Sequence, residues 1–458
     1  MSQEKVAEIE SHVAHWKQLT QRYLPIESDS SIWRYSRVRN DSDIDQGWKL
    51  HISANILTAN KTFVAVASYL TRRGVLFKAP CSLQELHKLN SGFYYGYSQV
   101  GKFITIYPQS PEQARTLAVR LHKLTYGLSA PIVPFDCRFA FNSNVYYRYG
   151  SFKPQSIDGR PVMKDENGIL VPDSRYGNGS VSKTKKDPLK STKRESNTLG
   201  ASNLSTTPYR ALRAISQRGK GGVYKAVDLS VVPERLCIIK QGRNGGEITW
   251  TGHDGRWLVK NEATVLSALR TAGVEVPEIY SKFRLQDDHF LVLEFIEGET
   301  LESFLLKRQR RLSLTKTVKL LIQACVLLES IHEAGWVWRD CKPSNLILTS
   351  SGTLRPLDFE GASALNELHP VLWQTRAFMS PLGISDKQSS PIYDDIYSLG
   401  VLAFFLVAGR MPESKPKSIC SLRRNIPEKL RELIAELMHP NPRCRPAIQS
   451  ALSVLASI

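Results

Sequence analysis

The sequence predicts an α+β chain made of two domains. A stretch from about residue 173 to residue 207 is rich in Ser, Thr, Lys, Gly and Asn and has almost no large apolar residues, which is typical of a flexible linker. On either side of it, apolar residues recur at both helical and strand spacing. With 458 residues, of which 42% are hydrophobic, the chain is long enough for two or three globular domains.

The part before the linker, residues 1–172, has the pattern of a domain that mixes helices and strands. It begins with a charged, amphipathic segment, Met1 to Leu24, which has no apolar core region and is therefore not a secretory signal. Strands are predicted at Lys49–Ser53 and Phe103–Tyr107, and helices near Ile56–Arg72 and Pro111–Leu124.

The most specific motif is the string WRDCKPSN at residues 338–345, followed by Leu-Asp-Phe at residues 357–359. Protein kinases use an Asp to accept the substrate hydroxyl proton, a Lys two residues later at the γ-phosphate, and an Asn and a second Asp to hold magnesium. Asp340, Lys342, Asn345 and Asp358 have this spacing. Residues 208–458 are therefore predicted to form a bilobal protein-kinase-like fold that uses ATP or GTP with Mg²⁺.

The rest of residues 208–458 contains further segments of the kinase pattern, in the order in which protein kinases have them. Residues 215–224 (ISQRGKGGVY) read as a strand, a glycine-rich turn and a strand, although only Gly221 occupies a position of the usual three-glycine pattern. Lys240 ends an apolar run, as expected of the strand lysine that pairs with the α- and β-phosphates. Glu262 lies in a segment with helical apolar spacing, which would let it face Lys240. A plain hairpin, an edge-strand Lys and an exposed Glu are the ordinary alternatives.

Several positions depart from the kinase pattern. Trp338 replaces the usual His, and Glu360 replaces the Gly that follows Asp-Phe. Ser-Pro-Leu at residues 380–382 replaces Ala-Pro-Glu, so the Glu that normally pairs with an Arg such as Arg445 is missing. The segment from Asp358 to residue 381 is also short, which argues against control by phosphorylation of an activation loop.

Charge and cysteine content limit the partners and the compartment. The chain has 61 Lys plus Arg against 43 Asp plus Glu, a net charge of +18, which favours a phosphorylated or acidic peptide partner. No nucleic-acid-binding motif is present, so nucleic acid is not an expected partner. The seven cysteines are scattered, so neither disulfides nor a zinc site is expected, and a reduced cytoplasm is the expected compartment. The apolar run at residues 399–408 is too short to cross a bilayer, and no membrane insertion is expected.

Five segments before the linker follow one another in the order found in a known family. They are GWKLH (47–51), GVLFK (74–78), SQVGKFITIYP (98–108), PFDCR (134–138) and VYYRYG (145–150). They resemble the N-terminal phosphoserine/phosphothreonine lyase domain of class III lanthipeptide synthetases, whose kinase domain has a similar Lys-Gly-Gly-Val-Tyr loop. The resemblance implies a lyase-like domain at 1–172, a linker at 173–207 and a kinase-like domain at 208–458, without the C-terminal cyclase domain of that family.

The lyase chemistry that the resemblance implies explains the residue types. Elimination of phosphate needs a base for the Cα proton and cations for the departing phosphate. Lys78 is the predicted base and His51 the predicted general acid. The predicted phosphate-binding and orienting residues are Lys102, Arg138, Arg148 and, for orientation, Asp136. A surface Lys, a satisfied His and structural ion pairs are the ordinary alternatives.

The function predicted on this basis is that of a bifunctional dehydratase. Its substrate would be a ribosomal precursor peptide with a leader and a core that contains Ser, Thr and Cys, and its product dehydroalanine or dehydrobutyrine. A separate cyclase would then close any rings. Two alternatives stay open: a protein Ser/Thr kinase whose N-terminal domain only binds phosphopeptide, and a pseudokinase scaffold that grips a leader peptide.

Overall fold

The structure is a computed structural model that describes residues 3–27, 32–153, 156–158, 160–165, 167–173, 187–189, 201–308, 311–366, 378, 391–412, 423 and 425–458. Residues 380–382, where the sequence lacks the usual Ala-Pro-Glu, lie outside this description. The chain divides into two compact units. The first comprises residues 1–235, 240–256 and 284–290, and the second comprises residues 236–239, 257–283 and 291–458. The predicted two-domain α+β class is confirmed by these elements and by the family matches reported below.

A seven-stranded antiparallel sheet forms the centre of the first unit, with the strand order β1-β2-β4-β5-β3-β7-β6. Its strands are β1 (Ile26–Glu27), β2 (Trp33–Tyr35), β3 (Gln46–Ile52), β4 (Leu76–Pro80), β5 (Ile104–Tyr107), β6 (Cys137–Arg138) and β7 (Val145–Ser151). Four helices accompany them: α1 (Gln3–Tyr23), α2 (Ala59–Arg72), α3 (Leu83–Ser91) and α4 (Pro111–Thr125). The strands and helices predicted in this region are present, with ends shifted by up to three residues.

One face of this sheet packs on the helices, and the other carries polar side chains beside a small apolar cluster of Leu76, Tyr107 and Phe152. On β3, Trp48, Leu50 and Ile52 are buried in the core, and successive side chains of a strand point to opposite faces. Lys49 and His51 therefore lie on the opposite face. The apolar face packs on α1 and α2, where the rings of Trp16 and Phe63 meet edge to face with 5.1 Å between centroids.

Local capping sets the ends of the helices. The Ser110 side chain accepts a hydrogen bond from the amide of Gln113 at the start of α4, where Pro111 occupies the first turn. Ser82 caps α3 in the same way, through the amide of Glu85. Helix α3 ends at Gly92, whose φ of 67° is the left-handed conformation that favours glycine.

Part of the segment predicted as a linker contacts the core of the first unit. Leu189 is buried there, and the Tyr147 hydroxyl donates to Asp187 Oδ2 at 3.0 Å. A small sheet of order β10-β9-β8 precedes this segment, with β8 (Ser156–Ile157), β9 (Arg160–Lys164) and β10 (Leu170–Pro172). A 3-10 helix, Ala201–Thr206, follows it. The boundaries 1–172 and 208–458 stay a prediction.

A five-stranded sheet follows, with the order β11-β12-β13-β15-β14. Its strands are β11 (Tyr209–Gln217), β12 (Gly222–Asp228), β13 (Arg235–Gly242), β14 (Ile279–Leu285) and β15 (Asp288–Glu294). The antiparallel pair β11 and β12 forms the predicted hairpin around the glycine-rich turn.

The second unit is mainly helical. Its helices are α5 (Gly255–Thr271), α6 (Leu301–Leu306), α7 (Leu314–Glu333), α8 (Ile392–Ala408), α9 (Glu428–Leu437) and α10 (Ile448–Ala456). Short strands lie between α5 and α8: β16 (Glu299–Thr300), β17 (Trp336–Val337), β18 (Leu346–Leu348), β19 (Leu354–Pro356) and β20 (Ser363–Ala364). Helix α8 is apolar on nearly all sides because it is buried in the core of this unit. Within the described part of the chain, no helix combines the length and apolar character that crossing a bilayer requires.

Candidate active sites

The strand register aligns the predicted lyase residues across the polar face of the first sheet. Five residues on five neighbouring strands stand in one row, each paired with the next: Lys78, Thr105, His51, Tyr146 and Arg138. Directly paired residues of antiparallel strands share a face. The opposite face of the sheet packs on the helices. The side chains of this row lie on the other face, where they are available for catalysis.

Lys49 joins this face, although the sequence analysis gave it no role. It lies two residues before His51 on β3 and pairs with Arg148 of β7, so both share the face of the row. Burial and the positive charge of Arg148 lower the pKa of Lys49 to about 7, with smaller contributions from Lys78 and Lys102, and Asp173 opposes them. The signal that could have revealed it is the Lys-x-His spacing on one face of a strand.

His51, Asp136 and Lys102 form a buried hydrogen-bonded group. Asp136 Oδ2 lies 2.5 Å from His51 Nδ1, and Asp136 Oδ1 lies 3.1 Å from Lys102 Nζ. Burial would raise the pKa of Asp136, but Lys102 and His51 outweigh it and hold that pKa below its ordinary value. Burial lowers the pKa of His51 to about 4, despite the opposing charge of Asp136. The arrangement is therefore a neutral imidazole whose Nδ1–H donates to an ionised Asp136.

The two predicted phosphate-binding arginines have different surroundings. Arg148 forms an ion pair with Asp173, and its guanidinium passes over Gly150 so closely that a Cβ there would lie 2.5 Å from it. Arg138 Nε donates to the carbonyl of Ser143 at 2.8 Å, at the end of the row. Arg148 thus lies beside Lys49, whereas Arg138 is held at the edge strand β6.

Lys78, the predicted base, lies against two aromatic rings of β2. Its Nζ is 4.3 Å from the centroid of the Trp33 ring and 5.6 Å from that of Tyr35. A cation over an aromatic face is attracted by the ring quadrupole, so these contacts hold the Lys78 ammonium group beside β2. The positive charge of Lys78 contributes to lowering the pKa of Lys49.

In the second unit, the predicted catalytic loop orients Asp340 from two sides. Lys342 Nζ donates to Asp340 Oδ2 at 2.8 Å, and Asn345 Nδ2 donates to the same oxygen at 2.7 Å. Burial raises the pKa of Asp340, and Lys342 opposes that shift while Asp358 adds to it. The structure thus brings together the predicted proton acceptor, Lys342 and Asn345.

Trp338, which replaces the usual His, connects this loop to Asp358. Its indole Nε1–H donates to the Asp358 carbonyl at 2.9 Å, and its ring stacks on Phe359 with 5.3 Å between centroids and 20° between planes. Its backbone amide donates to Asp395 of α8 at 2.8 Å. Asp358 has a φ of 61°, a left-handed conformation that a non-glycine residue adopts only when its surroundings hold it.

Glu360, which replaces the usual Gly, stands with two other acidic residues. Carboxylate oxygens of Glu262, Asp358 and Glu360 lie within 4.8 Å of one another. Glu262 Oε1 also accepts a hydrogen bond from the amide of Phe359 at 3.0 Å. Oxygen donors are what Mg²⁺ prefers, so Asp358 fits the predicted magnesium role. Asn345 fits it as well, because its Nδ2 is bound to Asp340 and its Oδ1 is the atom suited to a cation.

Gly221 and Lys240, the predicted nucleotide-binding residues, belong to the first unit. Gly221 closes the hairpin turn, since Arg218 N donates to its carbonyl at 2.9 Å. A Cβ at Gly221 would lie 1.6 Å from the Gln241 carbonyl oxygen, so this glycine is required by close backbone packing. Lys240 is buried near the end of β13. Its pairing with Glu262 stays a prediction.

Arg445 has backbone partners in place of the missing Glu. Its guanidinium donates to the carbonyls of His439 and Tyr393, at 2.9 and 2.7 Å. It also lies 5.0 Å from the centroid of the Tyr397 ring. Burial lowers the pKa of Arg445, and Asp394 opposes that shift.

Comparison with known families finds one match in each half of the chain. Residues 19–197 match the family described as RamC, N-terminal domain, and residues 218–454 match the family described as protein kinase domain. The chain belongs to the protein kinase domain family. The RamC N-terminal match precedes the kinase domain in the order that the lanthipeptide-synthetase resemblance predicts, and it confirms that resemblance.

Similar proteins fall into two groups. A probable SapB synthase of Streptomyces coelicolor is 27% identical over 415 residues, which cover 86% of this chain and 43% of that protein. The serine/threonine-protein kinase F of Synechocystis is 29% identical over 272 residues, or 54% of each chain. The serine/threonine-protein kinase PknA of Mycobacterium tuberculosis is 28% identical over 256 residues, 52% of this chain and 58% of that kinase. The chain thus spans about half the length of the curated relatives it matches.

Proposed function

We propose that this chain is a bifunctional peptide dehydratase that first phosphorylates Ser or Thr residues and then eliminates the phosphate. The observation that carries the proposal is the polar sheet face, where Lys49 and Arg148 stand beside the row that contains Lys78 and His51. A module that only binds phosphopeptide needs cations, but it does not need a buried His oriented by a carboxylate. The same chain contains the Asp340 loop of a kinase.

In the phosphorylation step, Asp340 accepts the proton of the peptide hydroxyl. The hydroxyl oxygen then forms a bond to the γ-phosphorus while the bond between the β- and γ-phosphates breaks, which leaves a nucleoside diphosphate. Lys342 would hold the transferred phosphate. Asn345 and Asp358 would hold magnesium, which neutralises phosphate charge when bound. ATP and GTP both fit these requirements, and no role for zinc arises in either step.

In the elimination step, Lys78 takes the Cα proton of the phosphorylated residue. The electron pair forms the Cα–Cβ double bond as the bond between Cβ and the phosphate oxygen breaks. Lys102 and Arg148 neutralise the departing phosphate, and Arg148 can grip it through two parallel hydrogen bonds. The product is dehydroalanine from Ser or dehydrobutyrine from Thr. Lys49, whose pKa is about 7, supplies a further amine on the same face.

His51 is the proposed proton donor to the leaving oxygen. Burial lowers its pKa to about 4, so the free imidazole is neutral and carries its proton on Nδ1, facing Asp136. A phosphate dianion beside Nε2 favours the imidazolium, in the sense opposite to burial. His51 would therefore gain its second proton with the phosphorylated substrate and pass it to the departing phosphate.

The proposed substrate is a ribosomal precursor peptide, and a separate cyclase would act on the dehydrated product. Support comes from the similarity to a protein named as a synthase, which extends over 86% of this chain and so includes the lyase-like part. The expected site of action is the cytoplasm. The net charge of +18 favours an acidic or phosphorylated peptide over a basic one.

The alternative is a protein Ser/Thr kinase with a phosphopeptide-binding domain, which the kinase relatives that cover about half of this chain favour. The dehydratase and this kinase can be distinguished by mass spectrometry of a candidate precursor peptide that has been incubated with the purified chain, ATP and Mg²⁺. The dehydratase converts a peptide that has gained phosphate into one that has lost water. A phosphopeptide that accumulates and never loses water would refute the lyase step and support the alternative.

A further inference from the structure

The glycine-rich turn of the kinase half, residues 218–221, packs against the C-terminal end of α3, and both belong to the first unit. The amide of Gly219 donates to the Ser91 carbonyl at 2.9 Å. A Cβ at Gly219 would lie 1.7 Å from the carbonyl oxygen of Asn90, so only a glycine allows this approach. The turn is therefore held directly by the backbone of the lyase-like domain.

A side-chain contact strengthens this attachment. The guanidinium carbon of Arg218 lies 4.3 Å from the centroid of the Phe93 ring, just after α3 ends. Phe93 is otherwise 61% exposed, so a large apolar ring stands at the surface where it can meet this cation. Phe93 is not part of the polar sheet face.

The other side of the turn is held by Arg243, which follows β13. Its side chain donates to the Arg218 carbonyl and, at 2.7 Å, to Gln217 Oε1, while its amide donates to the Lys220 carbonyl at 2.8 Å. The same guanidinium lies 5.0 Å from the centroid of the Tyr97 ring. Gln217 at the end of β11 and two carbonyls of the turn are thus bound to one buried arginine.

These contacts use the amides of the turn. The amides of Arg218, Gly219 and Gly221 all donate to carbonyls of the protein. In a kinase the glycine-rich turn covers the nucleotide phosphates, so the position of this turn affects how firmly the nucleotide is held. We propose that Ser91 and Phe93 of the lyase-like domain are positioning residues that fix where the kinase turn lies, and thereby how firmly the nucleotide is held.

The physical basis is preorganisation. A turn that is already ordered loses less conformational entropy when nucleotide binds, so releasing it from α3 should weaken binding. This inference rests on the proposed kinase activity and deepens it, because it makes nucleotide affinity depend on residues far from the kinase motifs in sequence.

Phe93→Ala in the full-length chain tests the proposal. We expect affinity for a fluorescent ATP analogue to fall about two- to five-fold, the ratio that corresponds to one cation–π contact at an exposed site. KM for ATP should rise with little change in kcat, and elimination from a synthetic phosphopeptide should be unchanged. Phe93→Tyr, which keeps the ring, should restore binding. Phe141→Ala is the matched control, because Phe141 is another exposed ring of the same domain, with 68% of its surface exposed.

Gly219→Val should have a larger effect, about ten-fold or more in nucleotide affinity, because its side chain cannot coexist with the carbonyl of Asn90. If this variant does not fold, the Phe93 series decides alone. Nucleotide affinity equal to wild type in Phe93→Ala, or tighter, would overturn the positioning role while leaving the kinase activity intact. If the wild-type chain itself fails to bind nucleotide, the proposed kinase activity falls and this inference falls with it.

Discussion

The indole N–H of Trp338 donates a hydrogen bond to the backbone carbonyl of Asp358, with 2.9 Å between nitrogen and oxygen. The residue that departs from the kinase pattern therefore joins the catalytic loop to the predicted magnesium ligand. A Trp suits this position because its ring also stacks on Phe359, and its donor satisfies a carbonyl at a residue held with φ of 61°.

Trp338→Phe should slow phosphorylation while the chain stays folded. The change keeps most of the stacked ring but leaves the Asp358 carbonyl without its donor, an effect of about 1–3 kcal/mol for a buried polar group. The initial rate of phosphate transfer to peptide, measured with the melting temperature, checks this. Trp336→Phe, at the partly buried neighbour on β17, is the control. Equal rates in both variants would show that the hydrogen bond has no catalytic consequence.

Asp340→Asn and Asp358→Asn should each abolish phosphate gain in the peptide. The first removes the proton acceptor and the second removes a charged oxygen ligand for magnesium. Neither change alters side-chain volume much, so circular dichroism and melting should remain close to wild type. Phosphorylation by either variant at a near wild-type rate would mean that the carboxylate was assigned the wrong role.

Lys78→Ala should leave phosphorylation intact and stop elimination, so that phosphopeptide accumulates. His51→Ala and Arg148→Ala should trap the same intermediate, and Arg148→Ala should also bind phosphopeptide more weakly because a bidentate contact is lost. Mass spectrometry over a time course measures each species. Lys123→Ala, at an exposed position of α4, controls for the loss of a surface cation. Dehydration by Lys78→Ala at the wild-type rate would place the base elsewhere, with Lys49 and Lys102 as the next residues to test.

Lys49→Met should stabilise the protein but slow elimination. The pKa of Lys49 falls from 10.5 to about 7 on folding, so the unfolded chain binds its proton more tightly than the folded one. The resulting loss of stability is complete below about pH 7 and disappears as pH rises toward 10.5. The gain in melting temperature should therefore be larger at pH 6 than at pH 9, and a gain of about 1 kcal/mol corresponds to about 2–4 °C for 150–250 residues. A lower melting temperature than wild type at pH 6 would contradict the prediction.

The sequence predicted those features of the candidate sites that depend on residues close together in the chain. Asp340, Lys342 and Asn345 lie within six residues, so their meeting at one carboxylate follows from one loop. The low pKa of Lys49 could not be predicted in the same way, because it depends on Arg148 and Asp173, which are distant from Lys49 in the sequence. The burial of Leu189 was missed for a related reason: its polar neighbours dominate the local composition, and one apolar side chain suffices to dock a segment.

The glycine-rich turn shows a further limit of sequence reasoning. Gly219 does not occupy a position of the kinase glycine pattern. A glycine is required there because a Cβ would collide with the carbonyl of Asn90, a residue of the other predicted domain. Backbone packing of this kind leaves no periodic signal in the sequence.

The low pKa of Lys49 also allows a side reaction between the enzyme and the proposed product. At neutral pH a substantial fraction of an amine with a pKa of about 7 is unprotonated, and an unprotonated amine is a nucleophile. Dehydroalanine is an electrophilic alkene, so product that lingers on this face could be captured covalently by the enzyme that made it. Rapid release of the dehydrated peptide would then protect the catalyst from self-modification, and intact-protein mass after many turnovers would register any adduct at Lys49.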